Sequence, residues 1–86
     1  EAELNNYGYQ LINGGNFDEA ISILLANAES HPASANAWDS LGEAYALNGD
    51  KENAIKYFKK SLSLNPPENV RQNSEKYLKQ FGVKVP

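Results

Sequence analysis

Between Trp38 and Tyr45 a hydroxyl, Ser40, stands between two carboxylates, Asp39 and Glu43, with Gly42 beside it. Hydroxyl and acid together are the raw material of acyl transfer. A nucleophilic serine also needs a base, and a nucleophile elbow needs G-x-S-x-G on a strand-to-helix turn. The context here is WDSLG, which lacks the first glycine and falls within a helical pattern. The chain has one histidine, His31, directly before Pro32, and no cysteine. Catalysis by this chain is therefore not expected. Asp39 and Glu43 are four residues apart, so they share one helix face. A hard cation would need more oxygen ligands than these two supply. The pair reads as an acidic edge facing solvent or a partner, and no metal or cofactor is expected. Gly14–Gly15 lacks the lysine and spacing of a phosphate-binding loop and reads as a turn. Trp38 reads as helix packing rather than a ligand platform. Lys56, Lys59 and Lys60 of KYFKK form the outward face of an amphipathic helix, and the net charge of −3 weighs against a phosphate site there.

The elements that must position these residues come from a short chain. Its 86 residues suffice for one small domain whose core must be packed efficiently. A hydrophobic content of 41% is that of a folded domain. Without cysteine there is neither a disulfide framework nor a thiolate metal site. The acidic balance argues against a nucleic-acid partner, which would need a basic face. No apolar run approaches the ~20 residues of a membrane span, so no membrane contact is expected. The sequence opens at EAEL without methionine and reads as part of a longer protein, so the lack of a leader says nothing about the parent.

The chain repeats itself every 34 residues: Gly8 falls on Gly42, Gly15 on Gly49, Ala20 on Ala54, Ile21 on Ile55 and Pro32 on Pro66. Each repeat reads as two helices. In the second, Trp38, Leu41, Gly42 and Tyr45 follow the spacing of one helix face, with Ser34 capping the start and Gly49 ending it. Asp50 caps the next helix, whose buried stripe is Ala54, Ile55, Phe58 and Leu62, and Asn65–Pro66 closes it. The first repeat predicts helices near 2–13 and 17–30, with Asn16 and Glu19 resembling a capping box. A fifth helix is predicted over about 68–81, carrying Val70, Tyr77, Leu78 and Phe81, with Gly82 as its stop. Its polar face (Gln72, Lys76, Lys79, Gln80) suits a terminal cap. Gly8 and Gly42 are expected to admit a partner helix closely, opposite Ala20 and Ala54.

These residues resemble the tetratricopeptide repeat, whose unit carries W-x2-L-G-x2-Y, then A-x3-F and a later proline. The second repeat supplies Trp38, Leu41, Gly42, Tyr45, Ala54, Phe58 and Pro66. The first supplies Leu4, Tyr7, Gly8, Leu11, Ala20, Leu24 and Pro32, and Asn27 and Ser61 depart from the usual late alanine. The resemblance implies an all-α, right-handed α-α superhelix. It divides the chain into repeat one (1–34), repeat two (35–68) and a capping helix with tail (69–86), as a single domain. A stretch from Gly8 to Tyr45 also resembles the repeat pair at the carboxyl end of some bacterial serine hydrolases of the β-lactamase-related or esterase type.

In such arrays the first helices line a concave groove that binds a peptide or protein surface. That resemblance implies a groove of Asn5, Asn6, Tyr9, Ile12 and Asn13 from repeat one. Repeat two adds Asn36, Asp39, Ser40, Glu43 and Leu47, and the last helix Asn73, Ser74 and Tyr77. Asparagine amides donate and accept at once, tyrosines offer flat area with a polar tip, and the two acids would favour a basic partner. The positions matching a known carboxylate clamp hold Asn5, Tyr9, Ser40, Val70 and Ser74, without its cationic members. The implied function is a non-catalytic interaction module or scaffold. The alternative is an accessory appendage of a bacterial enzyme, packing on an upstream domain or self-associating weakly.

Overall fold

Three left-handed glycines punctuate the chain, Gly15, Gly49 and Gly82, with φ of 80°, 84° and 78°. Just beyond each, an amide reaches back across the last helical turn. Asn16 N–H donates to Leu11 O at 2.8 Å, Asp50 N–H to Tyr45 O at 2.9 Å and Val83 N–H to Leu78 O at 2.9 Å. Glycine tolerates this conformation, and the returning bond satisfies a carbonyl the helix leaves orphaned. A fourth left-handed residue, Asn65 with φ of 54°, stands just before Pro66.

The computed structural model describes residues 2–84. Among them the chain is helical, without strands: α1 (Ala2–Asn13), α2 (Phe17–Ser30), α3 (Ala35–Leu47), α4 (Lys51–Ser63) and α5 (Glu68–Gln80). Two starts are capped as expected. Ser34 Oγ accepts from Ala37 N–H at 3.2 Å, and Asp50 Oδ1 accepts from Asn53 N–H at 3.2 Å. The capping box at Asn16 is a correction: Asn16 precedes α2 but makes no side-chain cap bond. Its side chain lies back over the turn instead, so that a Cβ placed on Gly14 would meet Asn16 Nδ2 at 3.4 Å.

The helices pair as α1 with α2 and α3 with α4, α2 also packs on α3, and α5 lies against α4 and α3. One core cluster joins the first hairpin to α3, through Leu11, Ala20, Leu24, Ala28, Trp38, Leu41 and Ala44. A second holds α5 onto α4, through Ala54, Phe58 and Leu78. The helical glycines sit where the pairs are closest. A Cβ on Gly8 would fall 2.4 Å from Leu24 Cδ2, and one on Gly42 would fall 2.9 Å from Phe58 Cδ1. Large side chains, not Ala20 and Ala54, therefore fill the space above the glycines, one helical turn further on than expected. Gln72, Lys76, Lys79 and Gln80 of α5 are exposed.

Trp38 is core: it is 9% exposed and its Nε1–H donates to Pro32 O at 2.9 Å. The two departures from the late alanine differ. Ser61 is buried and donates to Ala35 O at 2.8 Å, tying α4 to the start of α3. Asn27 is buried too, but neither polar atom of its side chain has a hydrogen-bond partner. The residue equivalent to Ala35 in the first repeat is Glu1, which lies outside the described residues.

Candidate functional site

The first helices α1, α3 and α5 lie side by side, in contact α1 to α3 and α3 to α5. Two polar ladders at the repeat spacing tie them together. In one, Tyr9 donates its hydroxyl to Glu43 Oε1 at 2.6 Å and Tyr77 donates to Glu43 Oε2 at 3.0 Å, each across 34 residues. In the other, Asn73 Nδ2 donates to Asp39 Oδ2 at 2.8 Å and Ser74 Oγ to Asp39 Oδ1 at 2.5 Å. Asn5 occupies the matching place on α1. Each carboxylate thus has both oxygens engaged by a neighbouring helix. Charge-assisted bonds of this kind are stronger than neutral ones.

Burial sets the electrostatics. It lifts the Asp39 carboxyl from 3.8 to about 6; bonds from Ser74 and Asn73 pull the other way, and the nearby Glu43 charge adds to the rise. Burial also raises the Tyr9 hydroxyl, helped by its bond to Glu43. Tyr77 is pushed up to about 12 by burial and by the charge and bond of Glu43. Both phenols therefore stay protonated and keep donating at neutral pH.

The structure divides the expected groove in two. Asn6, Asn13, Asn36 and Leu47 are exposed, with Leu47 at 49%. Tyr9, Glu43, Asn73 and Tyr77 are half-buried beside them. Five expected groove residues are instead buried: Asn5, Ile12, Asp39, Ser40 and Ser74. The cause is direct helix contact. Ile12 joins the first core cluster, and Asp39 and Ser40 lie in the seam between first helices. Ser40 therefore is not the surface residue the sequence suggests, and Asp39 is not an open acidic edge. Both carboxylates are already engaged by tyrosine, serine and asparagine donors, which a basic partner would have to share.

Among the described residues Ser40 and His31 are not hydrogen-bonded to each other. Ser40 is 1% exposed, and its hydroxyl has no full hydrogen bond. His31 Nδ1 lies 3.1 Å from Asn27 O, at the end of α2. Among the described residues no cluster of three or more His, Asp or Glu side chains could hold a metal ion. Nor is any helix among them long and apolar enough to cross a membrane.

Sequence reasoning missed the ladders, although their signal was present. Tyr9, Glu43 and Tyr77 stand in one register of the repeat, and so do Asn5, Asp39 and Asn73. Polar residues recurring at the repeat spacing mark contacts between repeats. It also missed two exposed apolar residues on α1. Leu4 is 39% and Tyr7 42% exposed, whereas their equivalents Trp38 and Leu41 are 9% and 0% exposed.

An all-α stack of repeated hairpins with this internal period is a helical-repeat scaffold. Residues 35–68 match the family model of the tetratricopeptide repeat. That match, the relatives and the fold support the tetratricopeptide repeat family for this chain; such repeats in general mediate protein–protein interaction and are not catalytic. Over 59 residues, 69% of the chain, the sequence is 37% identical to Superkiller complex protein 3 of Mus musculus and to that of Homo sapiens. Over 55 residues, 64% of the chain, it is 38% identical to Superkiller protein 3 of Schizosaccharomyces pombe. The chain spans 4% of the length of each of these relatives. They are eukaryotic and give no support to a bacterial hydrolase parent.

Proposed function

We propose that this chain is a non-catalytic interaction module, one domain of two repeats and a capping helix. It binds a peptide or protein segment across the face formed by α1, α3 and α5. The observation that carries this reading is the exposed row Asn6, Asn13, Asn36 and Leu47, set against half-buried Tyr9 and Tyr77. Side-chain amides offer donors and acceptors to an extended backbone, and Leu47 offers an apolar contact. The ladders beneath hold the three helices in register, so the exposed row is preorganised, which lowers the cost of binding. Two relatives are named for a complex, which is consistent with assembly among proteins.

A neutral peptide selected by display against the folded chain tests this. The double substitution Asn36→Ala with Leu47→Ala is expected to weaken its binding roughly tenfold or more. Both positions are exposed, so helical circular dichroism should not change. Unchanged affinity would sink the assignment.

The appendage reading has one observation in its favour, the exposed Leu4 and Tyr7 at the repeat-equivalent of a buried interface. Self-association through that face predicts a sedimentation coefficient that rises with protein concentration. A concentration-independent monomer removes it.

A further inference from the structure

A groove of about 500 Å³ lies between α2 and α4, on the second-helix side of the stack, and shares no residue with the face proposed above. Leu25 forms its apolar wall, with the rings of Trp38 and Tyr57. Lys56, Lys59 and Lys60 stand around it, and Glu29 is its only carboxylate.

The aromatic residues are locked. Tyr57 stacks on Trp38 at 5.6 Å and 8°, and on Tyr45 at 5.5 Å and 10°. Trp38 and Tyr45 are seven residues apart on α3, about 10.5 Å along the axis, or twice the ring spacing. Tyr57 therefore lies between them, in offset stacks with both rings. Lys60 Nζ lies 5.7 Å from the Trp38 ring centre and Lys56 Nζ 5.1 Å from that of Tyr57. These positions hold ammonium groups at the groove's margin. Among the described residues none of the three lysines forms an ion pair. On a chain of net charge −3 they make a local reversal of sign.

We propose that this groove is a second docking surface, and that its occupant is an acidic peptide segment carrying one aliphatic side chain. The aliphatic group packs on Leu25 and the ring edges of Trp38 and Tyr57, and flanking carboxylates meet the three ammonium groups. Charge complementarity selects the sign of the ligand. The engaged rings select its class. A single-stranded nucleic acid would need an open aromatic face for its bases; Trp38 is buried, and Trp38, Tyr45 and Lys56 Nζ already lie against Tyr57.

Trp38 is the chain's one tryptophan, so its emission reports on this groove. The probe is an end-blocked peptide of sequence DEDLDED, titrated at low salt, where charge attraction is least screened. A saturable change in emission is expected. Lys56→Glu with Lys60→Glu, both at exposed positions, should weaken binding roughly tenfold or more. Glu29→Gln should tighten it by a factor of about 3 by removing the opposing charge. Asn36→Ala, on the other face, should leave it unchanged, which separates this surface from the first. No saturable change, equal binding by the lysine double variant, or equal binding of the peptide with serine in place of leucine would each overturn the proposal. Tighter binding of a short oligothymidylate than of the peptide would overturn it in favour of nucleic acid.

Discussion

Phe58→Ala is expected to cost about 3–5 kcal/mol of folding free energy, the range for removing a large buried aromatic. Phe58 is fully buried, stacks on Tyr77 at 4.9 Å and 10°, and joins α4 to α5 in the second core cluster. For a domain of this size the loss corresponds to a melting temperature lower by about 12–40 °C. The mechanism is tested by a second substitution facing the ring. In the native background a Cβ on residue 42 would meet Phe58 Cδ1 at 2.9 Å and Cε1 at 3.0 Å. Overpacking costs about 1–3 kcal/mol, while alanine gains about 1 kcal/mol over glycine in a helix. Gly42→Ala should therefore destabilise the native protein. In the Phe58→Ala background the obstacle is gone, and the same change should stabilise by about 1 kcal/mol. A thermal-melt double-mutant cycle reads that reversal of sign. If Gly42→Ala stabilises both backgrounds, close approach to the ring is not what requires glycine.

The second large effect is a pH dependence. Burial raises the Asp39 carboxyl in the folded chain to about 6 from its ordinary 3.8. A raised folded value means the native state holds the proton more tightly than the unfolded chain. This group's contribution to stability is fully present below about pH 4 and is lost as pH rises through about 6. The rise corresponds to a loss on the order of 3 kcal/mol. Asp39→Asn keeps the shape and an acceptor but cannot titrate. The stability of the variant relative to the native protein should therefore climb by about 2–3 kcal/mol between pH 4 and 7 in urea titrations. The other carboxylates are common to both proteins and cancel. A difference that stays constant with pH would mean that Asp39 is not held in a buried seam.

The helices were legible because their ends are local chemistry. Gly49 and Gly82 needed left-handed backbone, Ser34 and Asp50 needed only a nearby amide, and Asn65 had to precede a proline. The 34-residue echo supplied the pairing as well. Legibility stopped where a side chain's partner lies on another repeat. Asp39 and Glu43 share one helix face, and the sequence alone takes that face as open. The structure closes it, because α5 brings Asn73, Ser74 and Tyr77 against it, and α1 brings Tyr9. The same lateral contact buries Asn5, Ile12 and Ser40. A periodic pattern gives the face of one helix but not how far the next helix covers it. Gly8 and Gly42 show the same limit on a smaller scale: the small residue was legible, and the large side chain filling its space was not.

If a ligand is received on the first-helix face, the backbone amide resonances of that face must respond as the displayed neutral peptide is added. Saturable shifts are expected at Asn6, Asn13, Asn36 and Leu47, spreading to Tyr9 and Tyr77, with α2 and the outer side of α4 unmoved. Shifts confined to α2 and α4, or to the Leu4–Tyr7 side of α1, would contradict binding there.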